Sequence, residues 1–236
     1  MGSDKNNQKN QAKKQGHLRP EELQGVQLRQ GQQKYQTSIE ENDITLCYGP
    51  AGSSKTFTAV YTALKLYAEK KIDKIILTKP IQESGEKLGF LPGTVEEKMD
   101  PFMESFISNA QKMIDDKSLG FLISTGVIEF RPLAYMRGAT FDNSIMILDE
   151  AQNCDFRQLM LFITRMGQGS KVVITGDVSQ YDIAKNRVAL PDFIELLDGC
   201  KGVGNHIFNE KDIVRSKILQ EVVKRYEKWR EAHDQD

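Results

Sequence analysis

The sequence predicts an α/β fold in which helices cover both faces of a mostly parallel central sheet. Short apolar runs such as Ile44–Tyr48 and Ser144–Leu148 alternate with longer segments whose apolar residues have helical spacing. Turn-forming or charged residues follow these runs, as at Gly49 and Asp149. In parallel sheets, ligands bind beyond the carboxyl ends of the strands. We therefore expect the chemistry of this protein to lie at these strand ends.

Continuous apolar runs predict the strands, because a strand that is buried on both faces does not alternate with polar residues. The clearest runs read ITLCY, KIILT, SIMIL and KVVIT, and a shorter one reads VIEF. In chain order, the predicted strands cover Ile44–Tyr48, Lys74–Thr78, 127–130, Ser144–Leu148, 171–175 and, as an edge strand, 205–208.

Apolar residues three or four positions apart predict the helices. Val60, Leu64 and Tyr67 have this spacing after the first strand, and Phe102 and Phe106 have it further along. The predicted helices cover 55–69, 96–115, 156–166, 191–197 and 214–230.

Composition is that of an ordinary globular protein. The 236 residues are 39% hydrophobic and 28% charged, with a formal net charge of -1. No apolar run approaches the roughly 20 residues of a membrane span, and the N-terminus lacks the apolar region of a signal peptide. The three cysteines have no metal-like spacing, which favours a reducing compartment. We expect a cytoplasmic protein without a membrane partner; composition neither favours nor excludes a polynucleotide.

Residues 1–17 are rich in Asn, Gln and Lys and offer almost nothing to bury. They are predicted to form a disordered polar tail, either simply solvated or an arm that touches RNA. Residues 18–236 are predicted to form a single domain.

The segment GPAGSSKT follows the first predicted strand and opens a helix. It resembles the phosphate-binding pattern G-x-x-x-x-G-K-[ST], in which backbone N–H groups and a helix N-terminus bind phosphate. Lys55 would reach the outer phosphates, and the hydroxyl of Thr56 would contact Mg²⁺. Ser54 stands where the pattern has glycine, at a cost of about 1 kcal/mol if the position needs a positive φ. The alternative is a glycine turn before a helix. The expected nucleotide-binding residues of this loop are Gly49, Pro50, Ala51, Gly52, Ser53, Ser54, Lys55 and Thr56.

Two carboxylates end the apolar segment SIMILDE. Asp149 would hold Mg²⁺, directly or through water, and Glu150 would orient and deprotonate an attacking water. The alternative is an acidic helix N-terminus after a strand. A third strand end, VVITGDVSQYD, brings Asp177 and Gln180. A polar group there could sense the γ-phosphate, or the segment could be a Gly-Asp turn.

The segments GPAGSSKT, TKPIQESGEKLGFLPG, PLAYMRGATFDNSIMILDEAQN and LFITRMGQGSKVVITGDVSQYD resemble the PhoH-like family of P-loop proteins. DEAQ followed by GD-x-x-Q also resembles superfamily-one helicases. The resemblance runs from about Gln32 to Tyr226. It implies a P-loop NTPase (RecA-like) three-layer sandwich that binds ATP with Mg²⁺ and acts as an ATPase. Most family members have glycine at the position of Ser54.

The resemblance also implies roles for individual residues of this chain. Lys55, Thr56, Asp149 and Glu150 fall on the catalytic positions. Gln152 and Gln180 fall on polar positions that face the γ-phosphate. Arg215 and Arg137 are the two candidates for an arginine finger from a neighbouring subunit, or surface arginines.

Gln32 resembles the glutamine that recognises adenine before the first strand. Gln30, Gln33 and Gln36 are nearby, so the choice among the four stays open.

The long segment KPIQESGEKLGFLPG follows the second predicted strand. Lys79, Lys87 and Phe90 could give phosphate and stacking contacts to a single-stranded nucleic acid. The alternative is a structural loop that packs between subunits.

The sequence as a whole predicts a Mg²⁺-dependent ATPase coupled to RNA or single-stranded nucleic acid, acting as a homo-oligomer. A ring, expected to be a hexamer, would supply the arginine in trans. The first alternative is a nucleotide-binding switch or scaffold with little turnover. A lower-ranked alternative is a ribonuclease.

Overall fold

The computed structural model describes residues 18–23, 25–80, 95–178 and 188–214, and single positions 218, 221, 222, 225 and 229. The strands are β1 (Ile44–Tyr48), β2 (Lys74–Thr78), β3 (Ile128–Phe130), β4 (Ser144–Leu148), β5 (Lys171–Gly176) and β6 (Val203–Ile207). The helices are α1 (Gln30–Glu41), α2 (Lys55–Ala68), α3 (Val95–Ala110), α4 (Asp116–Ser124), α5 (Phe156–Ile163) and α6 (Leu190–Leu197). Short 3-10 turns lie at Pro20–Glu22, Leu133–Met136, Ala151–Asn153 and Glu210–Asp212.

The strands form one sheet in the order β3-β2-β4-β5-β1-β6, and all its described strand pairs are parallel. Tyr48 pairs in register with Gly176, and Leu148 with Ile174. The carboxyl ends of β1, β5 and β4 therefore lie side by side. This arrangement brings together the three motifs that follow these strands.

Alternate side chains of each strand enter two separate cores. On one face, residues such as Ile75 and Ile147 pack with buried residues of α1 to α4. On the other face, Met146 and Ile174 pack with α5, α6 and Leu133–Met136. Because both faces are buried, the strands are continuously apolar. The result is the predicted three-layer sandwich with a parallel central sheet, and this prediction is confirmed.

Several boundaries differ from the sequence-based expectation. The predicted helix 96–115 is two helices: α3 ends at Ala110, and Asp115 caps α4 through a 3.0 Å bond from the Ser118 N–H to its carboxylate. Helix α1 was not predicted, because apart from Tyr35 and Ile39 it buries almost no apolar side chain. The edge strand β6 begins two residues earlier than expected.

The predicted C-terminal helix 214–230 falls largely outside the described residues; the single positions described within it are helical. The predicted tail 1–17 also lies outside them. Among the helices that the structure describes, none combines the length and apolarity needed to cross a membrane.

Candidate active site

A cleft of about 880 Å³ opens beyond the carboxyl ends of β1, β4 and β5. Backbone and side chains from the glycine loop, from the strand ends and from the segment before α1 form its walls. The lining includes Arg29, Gln32, Gly52, Ser54, Lys55, Thr56, Phe57, Asn109, Lys112, Asp149, Glu150, Gln152 and Asp177.

The glycine loop has the backbone shape that the phosphate-binding pattern requires. Gly49 has φ +147°, and a Cβ there would lie 2.4 Å from the backbone oxygen of Phe208. Gly52 has φ +82°. Ser54 is left-handed, with φ 66° and ψ 30°, at the residue that precedes α2. The position therefore does need a positive φ, and serine accepts it at a cost of about 1 kcal/mol.

Lys55 lies along the inside of this loop. Its Nζ donates to the backbone oxygen of Gly49 at 2.6 Å and to that of Pro50 at 3.0 Å. The buried Ser53 hydroxyl also donates to the oxygen of Pro50, at 2.8 Å. The ammonium group is thus held beside the loop, where a phosphate could replace the carbonyl oxygens as its partner.

Asp149 is buried at the end of β4, and two hydroxyls hold its carboxylate. The Thr56 hydroxyl donates to both carboxylate oxygens, at 3.0 and 2.9 Å. The Thr175 hydroxyl donates to Oδ1 at 2.5 Å. The two residues expected to bind Mg²⁺, Thr56 and Asp149, are therefore in direct contact. Sequence reasoning placed Thr175 only at a strand end and gave it no role.

Glu150 follows directly and turns the chain with φ 56° and ψ 39°. Burial raises the pKa of its carboxyl group, and the negative charge of Asp149 raises it further. Opposing this, a hydrogen bond from Gln152 and the positive charges of Lys55 and Lys79 lower its pKa. A carboxylate with a raised pKa suits a general base.

Gln152 is buried next to Glu150, and both the nitrogen and the oxygen of its side-chain amide form hydrogen bonds. Its Nε2 donates to Oε2 of Glu150 at 2.6 Å, and its Oε1 accepts from the backbone N–H of Asp177 at 3.0 Å. Asp177 also lines the cleft. Gln180 lies outside the described residues.

Of the four glutamines near the start of α1, Gln32 is the one that lines the cleft. It is 7% exposed, and its Oε1 accepts from the backbone N–H of Arg29 at 2.8 Å. The Gln33 side chain instead donates to the carbonyl of the residue before Arg29, and that of Gln36 donates to Glu40. The role of Gln32 towards adenine stays a prediction.

Only one of the two candidate arginines, Arg137, lies among the described residues. Arg137 is exposed just after Leu133–Met136 and is absent from the described cleft lining. Arg215 lies outside the described residues, as do Lys87 and Phe90 of the long loop. The neighbouring Val214 lines the cleft, and its N–H donates to the backbone oxygen of Gly52 at 2.8 Å.

Sequence reasoning missed two cations in the cleft wall. Arg29 precedes α1, and Lys112 follows α3, next to Asn109. Neither belongs to a phosphate-binding motif, and both reach the cleft wall from elements next to α1 and α3, which pack on α2. No local sequence pattern marked either residue.

A model of the family described as PhoH-like protein matches residues 26–227. The chain belongs to this family. A PhoH-like protein of Bacillus subtilis is 41% identical over 199 residues, covering 84% of this chain and 62% of the relative. One of Synechocystis is 40% identical over 84% of this chain and 60% of the relative. Protein PhoH of Escherichia coli is 33% identical over 84% of this chain and 56% of the relative.

The chain thus spans 56 to 62% of the length of these PhoH-like relatives. Among solved structures, it is similar in fold to the large terminase of a thermophilic bacteriophage in complex with ADP. The TM-score is 0.53 at 13% identity, over 84% of this chain and 50% of the terminase. A second crystal form of that terminase gives 0.52 at 14% identity, over 85% and 50%. The PhoH-like chain has the P-loop NTPase fold.

Proposed function

We propose that this PhoH-like protein binds ATP with Mg²⁺ and hydrolyses it. The observation that carries the proposal is the contact between the glycine loop and the end of β4, where Thr56 donates to Asp149. That contact places Lys55, a buried carboxylate and Glu150 in one cleft. Hydrolysis needs a phosphate cradle, a metal site and a base for water within reach of one another.

The residues present fit the triphosphate and its metal. Gly49 and Gly52 both have the positive φ that glycine adopts readily, and Gly52 lines the cleft. Thr56 and Asp149 supply the oxygen ligands that Mg²⁺ prefers, and the bound ion would neutralise negative charge on the phosphates. Gln32 in the first turn of α1, together with Arg29 and the rest of the segment before α1, would contact the adenosine end.

We assign the role of general base to Glu150. Its carboxylate lies beside Asp149 in the cleft, with a raised pKa and one oxygen held by Gln152. It can therefore orient a water molecule and accept its proton as the water attacks the γ-phosphate. Lys55 would stabilise charge on the outer phosphates.

We further propose that turnover is coupled to RNA or to another single-stranded nucleic acid. Lys79 follows β2 and is close enough to Glu150 to act on its pKa. Beyond the neighbouring strand β3, Tyr135 is 63% exposed, with exposed Arg137 two residues later. An exposed ring and nearby cations suit base stacking and phosphate contact.

The same exposed position of Arg137 supports a homo-oligomer. An arginine that lies outside its own cleft can stabilise transition-state charge only in a neighbour's cleft. We propose a ring, in hexameric form, in which Arg137 or Arg215 acts in trans and residues 18–236 act as one domain. The free thiols of Cys47, Cys154 and Cys200 fit a reducing compartment, and we place the protein in the cytoplasm.

The test is the rate of ATP hydrolysis measured alone, with RNA and with single-stranded DNA. Stimulation by one polynucleotide would identify the partner class, whereas an unchanged rate with both would refute the coupling. Light scattering on the same samples gives the subunit number. Full hydrolysis by a monomer would refute the arginine in trans.

A second candidate function is a nucleotide-binding switch or scaffold with little turnover. The strained Ser54, at a position where most of the family has glycine, is the observation in its favour. Glu150 is the observation against it, because nucleotide binding alone requires no general base.

A further inference from the structure

The side chain of Gln152 connects two strand ends that carry separate motifs. Its amide nitrogen donates to Glu150 at the end of β4, and its amide oxygen accepts from the Asp177 backbone just after β5. Gln152 is 5% exposed and its bond to the Asp177 N–H is buried, whereas its bond to the exposed Glu150 is partly buried. The position of the Glu150 carboxylate is therefore tied, through one side chain, to the backbone at the end of β5.

The Gln152 amide is closely packed against Gly176. A Cβ on Gly176 would lie 3.1 Å from Oε1 of Gln152 and 3.3 Å from its backbone nitrogen. It would also lie 2.6 Å from Cδ2 of Leu190. Glycine at this position therefore keeps the space that the amide occupies between the strand and α6.

The chemistry of the two bonds requires an amide. Glu150 as a base must be ionised, and an ionised carboxylate only accepts hydrogen bonds. The Asp177 N–H only donates. A glutamine offers one donor and one acceptor group on the same plane, whereas an ionised carboxylate of the same length offers only acceptors.

We propose that Gln152 is a positioning residue that holds the Glu150 carboxylate in place as the base by tying it to the Asp177 backbone. The inference rests on the proposed ATP hydrolysis and adds to it a link between the two strand ends.

Two substitutions separate the two bonds. Gln152→Glu keeps an acceptor for the Asp177 N–H but replaces the donor by a second carboxylate beside Glu150. Gln152→Leu removes both partners. We expect turnover to fall roughly 10- to 100-fold in each, the loss typical of one hydrogen bond to a charged group, with KM nearly unchanged. Equal kcat in the wild type and both variants would overturn the proposal.

The division of the effect between kcat and KM distinguishes positioning from a general loss of structure. A misplaced Glu150 slows the chemical step but leaves the nucleotide-binding loop intact, so kcat should fall while KM for ATP stays nearly unchanged. A raised KM with an unchanged kcat would contradict the role.

Hydrogen exchange at the amide of Asp177 gives a readout that does not depend on activity. It should accelerate in Gln152→Leu, which lacks the acceptor, and stay protected in Gln152→Glu. Equal protection in both variants would refute the link to β5.

The matched control is Gln158→Glu, the same chemical change at a glutamine one helix later. Gln158 forms a capping box with Asp155 at the start of α5, and that motif accepts Glu as well as Gln. Its kcat and KM should equal those of the wild type. Failure of hydrolysis itself is a separate result: wild-type phosphate release no higher than that of Glu150→Gln refutes the proposed function, whereas an active wild type with unaltered Gln152 variants refutes only this inference.

Discussion

The hydroxyl of Thr175 donates a 2.5 Å hydrogen bond to Oδ1 of Asp149. Thr175 is fully buried near the end of β5, and Asp149 follows the adjacent strand β4. Thr56 holds the same carboxylate from the glycine loop. The proposed metal ligand is therefore oriented from two separate elements before any ion binds.

Thr175→Val removes the hydroxyl and keeps the shape of the side chain. Asp149 then loses one of the groups that orient it, and we expect half-maximal turnover to need several-fold more Mg²⁺. Binding of ADP in the presence of a chelator should not change, because no phosphate contact is altered. The measurement is a Mg²⁺ titration of phosphate release. An identical titration curve for wild type and variant would show that Thr175 does not act on the metal site.

Ser54→Gly relieves the left-handed backbone at φ 66°. We expect the free energy of unfolding to rise by up to about 1 kcal/mol, with ATP binding retained and turnover not lowered. Ser53→Gly is the control: it has no positive φ and loses the hydrogen bond to Pro50, so it should destabilise the fold. Urea unfolding of both variants measures the difference. A large loss of turnover in Ser54→Gly would mean that the hydroxyl has its own role.

Lys55→Ala removes the ammonium group that lies on the carbonyls of Gly49 and Pro50. Turnover should be abolished, since one charge-stabilising group contributes about 100-fold or more to such reactions. The melting temperature should fall only modestly, because two hydrogen bonds to backbone oxygens are lost while the buried core is unchanged. Lys112→Ala removes another cation from the cleft wall and should lower turnover less than Lys55→Ala does. The result against this account is a Lys55 variant as active as the Lys112 variant.

His206 makes the stability of the fold depend on pH. Its ring packs against Tyr35 and Phe208, and its Nε2 is buried without a hydrogen-bond partner among the described residues. Burial lowers its pKa; Asp212 opposes this shift and Lys34 adds to it. The unfolded chain therefore binds this proton more readily, and stability falls as the pH drops below about 6.5.

The check is the urea midpoint of wild type and His206→Phe between about pH 7.5 and 5.5, values set on the ordinary histidine pKa of about 6.5. The wild type should lose more stability on acidification than the variant does. Parallel curves would show that His206 does not titrate differently in the folded and unfolded chains.

The sheet could be predicted from the sequence because its strands are buried on both faces. At that length, an apolar run such as SIMIL indicates a strand. The observed bounds of β1, β2 and β4 equal the predicted ones. Helix α1 could not be predicted in the same way. Its segment QGQQKYQTSIEE is polar apart from Tyr35 and Ile39, and packing on α2 rather than its own periodicity holds it in place.

The candidate site was predictable only where residues lie within one motif. GPAGSSKT and the pair Asp149-Glu150 can be recognised from the order and spacing of residues along the chain. The bonds from Thr175 to Asp149 and from Asp177 to Gln152 depend on β4 lying beside β5, about 25 residues away in sequence. Strand order is a tertiary property, and the local pattern does not contain it.

Phosphate release by the wild type and by Glu150→Gln, with Mg²⁺ and ATP, tests the central proposal most directly. The substitution keeps the size of the side chain and removes the base, so ATP binding should persist while release falls about 100-fold or more. Thermal unfolding of both proteins confirms that they are compared as folded chains. Equal, background-level release from both would contradict the hydrolytic function and favour a nucleotide-binding switch or scaffold.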